Sequence, residues 1–248
     1  MTLIVKEVRS KKELDDFVMI PFDLYENDSA WVPPIIRDFK KYITGKNNFL
    51  NQAGKNIRVI AYKDGKPVGR LLVGINNDLN KQKNYKEGYI SLYESIDDND
   101  VSHELLKYAE IFLKKENIEK IKGPLSLPGG DDYRGFIIDN FKDPTLVMNS
   151  YNKEYYNKQF LDFGFEKYMD VYAFKSEFDR DVLKRYARIV PYAQKKYKFS
   201  VRKLDLKNLD KEMKDIKEVI DNAMPKEWDD FIPPNEKEIA LIAKQLKP

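Results

Sequence analysis

The segment 88–115 joins a strand pattern to a helix pattern through one acidic loop. Aromatic and β-branched residues are frequent in 89–96, which favours a strand. In 101–115 the apolar side chains recur at i, i+3, i+4 and i+7, the spacing of a helix face that packs on a core. They are Leu105, Tyr108, Ala109 and Phe112. The segment therefore predicts a strand–loop–helix unit, and with it an α/β fold.

The loop of this unit contains three aspartates, Asp97, Asp98 and Asp100, and no glycine. Strand-to-helix loops often hold phosphates, because free backbone N–H groups and the positive end of the helix dipole point outward there. Carboxylates at this place instead cap the helix and complement its dipole. The loop thus has the architecture of an anion site and the composition of a helix cap.

Composition excludes several classes of site and of partner. The chain has 44 Lys and Arg against 41 Asp and Glu, so its net charge of +3 gives little attraction for a polyanion such as nucleic acid. It has no cysteine and one histidine, His103, so neither a disulfide nor a multi-histidine or thiolate metal site is expected. No apolar run approaches the ~20 residues of a membrane span, and the N-terminus lacks a signal-peptide pattern. A cytoplasmic protein without a bound metal is predicted.

Patterning along the chain predicts an alternation of strands and helices. Ser10 and Glu13 form a capping-box pattern before the first helix. Asp64 and Gly65 predict a tight hairpin, and Gly164 predicts the end of a helix. Strands are expected at 3–8, 57–62, 68–75, 89–96, 118–121 and 165–174, and helices after Ser10 and at 35–42, 101–115, 155–163 and 179–198, the last interrupted at Pro191. Polar loops are expected at 76–87 and 123–144.

The region after residue 198 repeats the pattern of the N-terminus. A predicted strand at 199–204 precedes a helix with apolar Leu209, Met213, Ile216 and Ile220, and Trp228 and Pro233-Pro234 then follow as Trp31 and Pro33-Pro34 do in the first part. An ordered set of this kind indicates an internal repeat. We therefore predict a complete unit at 1–176, a connecting helix at 177–198 and the truncated start of a second copy at 199–248.

This order of elements resembles the GNAT acyltransferase superfamily over residues 3–175. The local likenesses are the hairpin 62–70, the Leu105-Leu106-x-x-Ala109 run, and the Gly164-Phe165 exit from the last helix. More narrowly, 93–98 and 151–156 resemble an uncharacterised group of bacterial tandem GNAT-like proteins. The resemblance implies an α/β fold with a mixed sheet, one complete GNAT-like copy, and a second GNAT-like half in the same parent chain.

The resemblance also implies acetyl-CoA or another acyl-CoA as cofactor. The family motif Q/R-x-x-G-x-G/A would hold the pyrophosphate, but Asp97, Asp100 and Ser102 occupy its three defined positions. Like charges ~4 Å apart repel by about 1 kcal/mol in water and by more where solvent is excluded. A degraded cofactor site is therefore expected, with Ser95 and Ile96 as the strand backbone that would pair with the pantetheine arm, and Ser102 at the helix start.

Three residues are candidates for acid–base chemistry. By resemblance, Glu94 lies where the family places a base for the amine; the alternative is an exposed residue at a strand end. The family's general acid is a tyrosine at the position of Phe160, which has no proton to donate. Tyr155 and Tyr156 are the candidate substitutes, or else they are core aromatics.

The Gly-rich segment 123–135 is the candidate acceptor site. The resemblance places it beside the acyl-acceptor cleft, where Asp131, Asp132 and Arg134 would bind a small-molecule amine. The alternative is a surface loop without a ligand.

Two functions follow from these observations. The longer parent is predicted to be an acyl-CoA-dependent N-acyltransferase with a degraded cofactor site in this copy. The alternative is a non-catalytic GNAT-fold lobe that binds or supports the second copy. Nucleic-acid binding through the basic helix 179–198 is the third class, and a solvated helix face is favoured over it.

Overall fold

A computed structural model describes residues 2–45, 53–126, 133–146, 149–177, 179–225, 227–229, 231–236 and 238–240. Its centre is one five-stranded sheet in the order β1-β2-β3-β4-β5. Neighbouring strands are antiparallel except β4 and β5, which are parallel. The strands are β1 (Leu3–Glu7), β2 (Asn56–Lys63), β3 (Lys66–Ile75), β4 (Glu87–Ser95) and β5 (Lys120–Lys122). The mixed α/β class predicted from the sequence is confirmed.

Helices flank and follow this sheet. In chain order they are α1 (Lys11–Leu24), α2 (Ile36–Ile43), α3 (Asn77–Lys83), α4 (Asn99–Lys115), α5 (Tyr156–Phe163), α6 (Arg180–Tyr197) and α7 (Leu209–Ala223). Two local predictions are confirmed at their ends. Ser10 and Glu13 make both bonds of the capping box at the start of α1, and Gly164 ends α5 with a φ of 110°.

The sheet is covered on both faces because its central strands carry apolar side chains on both sides. On one face, Leu71 and Val73 of β3 pack with Leu105 and Ala109 of α4. On the other face, Ile60 of β2 packs with α1 and α2. The β2–β3 turn is tight because Asp64 and Gly65 both adopt positive φ angles, as the sequence predicts.

A bulge interrupts β4 at Leu92. Leu72 pairs with Ser91 and Arg70 pairs with Glu94, so β4 contains one more residue than β3 between these two pairs. Leu92 has a φ of 53°, in the left-handed region. An extra residue bends a strand and re-aims the side chains that follow it. The bulge thereby sets the direction of the end of β4, where the candidate residues lie.

The predicted loop 76–87 is wrong because it contains α3. The side chain of Asn76 accepts a hydrogen bond from the N–H of Leu79, and Asn84 ends the helix in the left-handed conformation. Leu79 is the residue that this short helix buries. Two asparagines at the ends and one apolar anchor are sufficient here, although seven mostly polar residues give almost no periodic signal.

Two predicted strands, 165–174 and 199–204, are also wrong. Phe174 is 91 % exposed and Val201 is 77 % exposed, and neither segment is in a strand. An alternating pattern becomes a strand only when a neighbour supplies the ladder of hydrogen bonds. Among the described residues no strand pairs with either segment, which explains the difference.

The helix at 180–197 is not interrupted at Pro191, against the prediction. Proline has no N–H donor and therefore removes one intrahelical hydrogen bond. The other hydrogen bonds are sufficient for the helix to continue past Pro191 to Tyr197. The helix at Leu209–Ala223 is confirmed, and it packs Leu209 and Met213 against Ile239. No helix in the described ranges is long and apolar enough to cross a membrane.

Gly88 gives a test of how closely β4 and α4 pack. A Cβ atom added at Gly88 would lie 2.4 Å from Cδ2 of Leu113. We expect Gly88→Ala to lower the free energy of unfolding by about 1–3 kcal/mol, because overpacking forces side chains out of their preferred rotamers. Urea unfolding followed by circular dichroism measures this.

The double variant Gly88→Ala/Leu113→Ala checks the cause. Leu113→Ala alone should cost about 2–5 kcal/mol, and the double variant should cost clearly less than the sum, because the new methyl group fills part of the cavity. Strict additivity would contradict the packing explanation. Ser29→Ala, at an exposed position, is the control and should change stability by less than about 0.5 kcal/mol.

Candidate functional site

Glu94, the predicted base, lies in β4 just after the bulge and is buried. Its Oε2 atom accepts hydrogen bonds from the hydroxyl of Tyr25 at 3.0 Å and from that of Tyr156 at 2.8 Å. Tyr25 ends α1 and Tyr156 begins α5, so the carboxylate connects elements from distant parts of the chain. The alternative of an exposed residue at a strand end is wrong.

Arg70 supplies the charge that faces this carboxylate. Its Nη2 atom lies 3.6 Å from Oε1 of Glu94, and its Nη1 atom donates to the carbonyl oxygen of Phe17 at 2.7 Å. The guanidinium also stands over the rings of Phe17 and Phe39, at 5.0 and 5.2 Å from their centroids. A buried ion pair needs such additional partners to offset its desolvation.

Burial dominates the ionisation of this group. It raises the pKa of Glu94 although Arg70 and the two tyrosine hydroxyls favour the charged form. Burial also lowers the pKa of Arg70 and, with the nearby Glu94 charge, raises the pKa values of Tyr25 and Tyr156. Both hydroxyls therefore stay protonated and act as donors. The arrangement can hold a carboxylate in an enclosed network.

At the C-terminal end of β4, beyond the residues that pair with β5, backbone groups of Ser95 and Ile96 are bonded to side chains of α5 and of Tyr155 before it. The N–H of Ser95 donates to the Tyr156 hydroxyl oxygen at 3.0 Å, and the Tyr155 hydroxyl donates to the Ser95 carbonyl at 2.8 Å. Nε2 of Gln159 donates to the carbonyl of Ile96 at 3.0 Å. Ser95 is fully buried. The polar backbone groups predicted to pair with a pantetheine arm are thus bonded to side chains of this chain.

Helical spacing explains how α5 reaches this end of β4. Gln159 and Phe160 lie one turn after Tyr155 and Tyr156, so all four project from one face of α5. Tyr93 of β4 packs edge-on against Tyr156 and Phe160, with ring centroids 5.1 and 4.9 Å apart, and its hydroxyl donates to Oε1 of Gln159 at 2.8 Å. Tyr156 and Phe160 belong to the core cluster on the α4 face of the sheet.

The acidic loop caps α4. The side chain of Asp98 accepts hydrogen bonds from the N–H groups of Asp100 and Val101, at 3.0 and 3.3 Å, and it pairs with Lys63. The hydrogen bond from Lys63, followed by these backbone bonds, lowers the pKa of Asp98. Ser102 is buried, and its hydroxyl donates to the Asn99 carbonyl at 3.1 Å. The helix-cap interpretation is confirmed for Asp98.

The predicted acceptor segment is described only in part. Asp131 and Asp132 lie outside the described residues. Arg134 is described, and its Nη1 atom lies 3.6 Å from the sulfur of Met169. The sequence gives no indication of a cavity of about 440 Å³ that opens beside the end of α1. Its charged lining residues are Asp23, Glu26, Asp28, Lys142 and Lys153.

Lys153 connects this cavity to the Glu94 network. Its ammonium lies 3.6 Å from Oδ2 of Asp28 and 4.5 Å from the centroid of the Tyr25 ring. The other carboxylate oxygen of Asp28 accepts from the Tyr151 hydroxyl at 2.7 Å. Among the described residues no group of histidine, cysteine or carboxylate side chains has the arrangement of a metal site.

Sequence reasoning missed Tyr25, Arg70 and Gln159. An available signal was Arg70 itself, because a cationic side chain inside an otherwise apolar strand needs a buried partner. Tyr25 gave no signal, since it is 69 positions away from Glu94. Gln159 was visible only as a polar residue on the aromatic face of α5.

The capping role of Asp98 predicts a difference between neighbouring aspartates. Asp98→Ala removes the acceptor for two N–H groups and should lower the free energy of unfolding by about 1–2 kcal/mol. Asp97→Ala is the matched control, because Asp97 is exposed, and should change it by less than about 0.5 kcal/mol. Chemical denaturation measures both values. Equal losses in the two variants would contradict the capping role.

The raised pKa of Glu94 predicts a dependence of stability on pH. The unfolded chain releases this proton near its ordinary pKa of about 4.3, whereas the native chain holds it to higher pH. Protonated Glu94 therefore contributes to the free energy of unfolding. This contribution is fully present below the pKa of the unfolded chain and is lost as pH rises through the native pKa. Because Glu94→Gln cannot titrate, the unfolding free energy of the wild type minus that of the variant should fall as pH rises above the ordinary glutamate pKa of about 4.3.

Urea unfolding at four pH values tests this expectation. The slope is the diagnostic quantity, since Glu94→Gln also alters the hydrogen bonds with Tyr25 and Tyr156 and thereby changes stability by an amount that does not depend on pH. Parallel pH profiles for the two proteins would contradict the raised pKa. Glu104→Gln, at an exposed position of α4, is the control and should follow the wild type.

Comparison with known proteins gives two curated relatives and a set of similar folds. No family model matches the chain. It is 27 % identical over 250 residues to Protein YghO of Escherichia coli, covering 98 % of this chain and 62 % of that protein. It is 26 % identical over 252 residues to the bacterial ceramide synthase of Caulobacter vibrioides, covering 99 % of this chain and 63 % of that protein. The chain thus spans under two thirds of the length of these relatives.

Several of the similar solved structures are acetyltransferases, all at low identity. An aminoglycoside acetyltransferase from an uncultured soil metagenomic sample has a TM-score of 0.41 and 10 % identity, over 71 % of this chain and 97 % of that one. A predicted acetyltransferase with acetyl-CoA from Clostridium acetobutylicum has a TM-score of 0.42 and 14 % identity, over 70 % and 96 %. A tandem GNAT protein from the clavulanic acid biosynthesis pathway has a TM-score of 0.40 and 14 % identity, over 52 % and 39 %.

The element order supports the fold independently of these scores. A strand, two helices, a hairpin, a bulged strand followed by a long helix, a parallel strand and a further helix appear in the order that the resemblance implies, with α3 inserted before the bulged strand and without the last strand expected at 165–174. The chain has a GNAT-like α/β fold.

Proposed function

We propose that this chain is the non-catalytic lobe of a longer acyl-CoA-dependent N-acyltransferase. The lobe corresponds to the predicted first copy at 1–176, and the predicted second copy, which begins at 199, would carry the reaction. The observation on which this proposal rests is that Tyr155, Tyr156 and Gln159 occupy the backbone groups of Ser95 and Ile96 at the C-terminal end of β4. A degraded acyl-CoA site in a lobe with an intact core is the arrangement expected of a supporting domain.

The occupied end of β4 argues against an acyl-CoA in this copy. An extended ligand that pairs with a strand needs free N–H and C=O groups on that strand. Here the N–H and C=O of Ser95 and the C=O of Ile96 are bonded to Tyr156, Tyr155 and Gln159. A ligand would have to break three hydrogen bonds and displace an aromatic helix face from the core. That cost opposes binding.

The charge at the start of α4 argues in the same direction. The N–H groups of Asp100 and Val101 already bond to the carboxylate of Asp98, so they are not available to the phosphate of a ligand. Asp97 and Asp100 add exposed negative charges beside them. A pyrophosphate would therefore lie beside carboxylates where the resemblance requires glycine N–H groups. Electrostatic repulsion would weaken its binding further.

The chemistry proposed for the parent follows from the name of one relative, the bacterial ceramide synthase. A ceramide is an amide of a long-chain amine, so a ceramide synthase joins an acyl group to an amine nitrogen. In such a transfer from acyl-CoA the carbon–sulfur bond breaks, the carbon–nitrogen bond forms, and a proton passes from the amine to the thiolate. We propose an amine acceptor of this class for the longer protein.

The bacterial origin and the cytoplasmic location of the longer protein stay predictions.

Acyl transfer within this copy is the second candidate. Its specific support is the raised pKa of Glu94, which would suit a base. In that case Tyr155 or Tyr156 would donate the proton to the thiolate, and Ser95, Ile96 and Ser102 would face the cofactor. This candidate requires α5 to leave the end of β4. Arg134, with Asp131 and Asp132, would then contact the amine.

Calorimetric titration of the 248-residue chain separates the two candidates. Acetyl-CoA, and separately a long-chain acyl-CoA below its micelle concentration, should give no saturable heat, corresponding to a Kd weaker than about 1 mM. A GNAT acetyltransferase with an intact motif is the positive control. Micromolar binding of either compound to this chain would contradict the degraded site and favour acyl transfer in this copy.

The longer parent is tested by release of free CoA in the presence of a long-chain amine. We expect amine-dependent release from the parent and none from residues 1–248 alone. The readout uses a thiol reagent, and the absence of cysteine from this chain removes one source of background. A parent without activity toward any primary amine tested would contradict the proposed reaction.

A further inference from the structure

A short segment after α7 lies against the sheet domain. The segment comprises Trp228, Asp229, Phe231 and Ile232, and we term it the docking loop. The carboxylate of Asp229 accepts one hydrogen bond from the hydroxyl of Tyr85 at 3.1 Å and another from that of Tyr168 at 3.2 Å. The carbonyl of Trp228 accepts from Nζ of Lys83 at 2.7 Å.

The two tyrosines stand above a buried ion pair. The ammonium of Lys122 lies 5.7 Å from the ring centroid of Tyr85 and 5.0 Å from that of Tyr168. It also pairs with Glu87 at 2.8 Å, and the two charged side chains are only 6 % and 7 % exposed. Lys122 thus attracts both aromatic rings. The ion pair fixes the rings, and the rings present their hydroxyls to Asp229.

An apolar contact accompanies the polar ones. Ile232 packs against the cluster formed by Leu72, Leu79, Tyr89 and Leu125. These residues come from β3, α3, β4 and the segment after β5. Isoleucine covers this part of the sheet, so the docking loop supplies the fold with buried apolar area as well as hydrogen bonds. Nζ of Lys217 donates to the Pro234 carbonyl at 3.2 Å, which connects the segment just after the docking loop to α7.

The corresponding tryptophan in the first part of the chain has different neighbours. Trp31 stacks on Tyr25 and meets Phe22 edge-on, both at 5.1 Å. It therefore packs within its own domain. Trp228 meets Phe231 of its own loop, while the backbone and the aspartate beside it contact the sheet domain. The docking loop therefore differs from the segment around Trp31 in that its polar groups contact the sheet domain.

We propose that Tyr85, Tyr168 and the Lys122–Glu87 pair form an intramolecular docking site that positions the start of the predicted second copy on the first. This inference rests on the proposed function. In the first copy, residues 23, 24 and 26–30 around the end of α1 line the 440 Å³ cavity, and Trp31 follows them directly. By the repeat, Trp228 corresponds to Trp31, so the docking loop is equivalent to the segment that directly follows this cavity wall. The non-catalytic lobe would therefore fix the segment next to the corresponding cavity wall in the catalytic copy.

Distance measurement between two spin labels tests the docking. The chain has no cysteine, so Glu104→Cys on α4 and Lys214→Cys on α7 place labels at two exposed positions without background. We expect one narrow distance distribution in the otherwise unchanged 248-residue chain. In the Tyr85→Phe/Tyr168→Phe variant, loss of both hydroxyls should raise the detached fraction about tenfold or more and broaden the distribution.

Matched variants keep the result interpretable. Tyr172→Phe removes the hydroxyl of an exposed tyrosine (76 % exposed) and should keep the narrow distribution. Asp229→Ala removes the shared acceptor and should reproduce the broadening of the double variant. Far-UV circular dichroism confirms that each variant is folded. A broad distribution in the unchanged protein, or a narrow one in both Tyr85→Phe/Tyr168→Phe and Asp229→Ala, would overturn the docking site.

The outcome does not depend on catalysis. Distances between labels are measured without acyl-CoA, so they judge the docking site alone. Micromolar acyl-CoA binding with a narrow label distance would overturn the proposed function and leave the docking site standing. If acyl-CoA does not bind and the distance distribution of the unchanged protein is broad, the docking site is overturned and the proposed function stands.

Discussion

The buried carboxylate of Glu94 constrains the arrangement of the whole sheet domain. An unpaired charge in a protein interior costs several kcal/mol, so every native arrangement has to supply its partners. Those partners come from the end of α1, the start of α5 and the neighbouring strand β3. The two helices lie on opposite faces of the sheet, and one side chain of β4 is bonded to both. Their positions relative to β4 are therefore coupled.

The same network determines what the domain can bind. The Tyr156 hydroxyl that donates to Glu94 also accepts from the N–H of Ser95. Tyr155 donates to the carbonyl of Ser95, and Gln159 donates to that of Ile96. The position of α5 that stabilises the Glu94 carboxylate therefore also occupies the backbone groups at the end of β4. In the proposed function this lobe supports a neighbour, and the contacts of Asp229 with Tyr85 and Tyr168 would provide a surface for that role.

Local signals predicted the parts of the fold that depend on a few adjacent residues. The capping box at Ser10, the Asp64-Gly65 turn and the helix end at Gly164 were all readable, because each depends on the conformation of neighbouring residues. The segments 165–174 and 199–204 were predicted as strands and are not, since a strand requires a partner that periodicity cannot supply. Helix α3 was missed because its signal lies in two asparagine caps and one leucine.

The sequence by itself determined the fold class, the acidic character of the α4 start and Glu94 as the carboxylate at the end of β4. Only the tertiary structure decided that Glu94 is enclosed, that Arg70 and Tyr25 are its partners, and that Tyr155 and Tyr156 bond to the strand beside it. The physical reason is distance along the chain. Tyr25 and Tyr156 are 69 and 62 positions from Glu94, and only the packing of both helices on the sheet brings their hydroxyls to one oxygen atom.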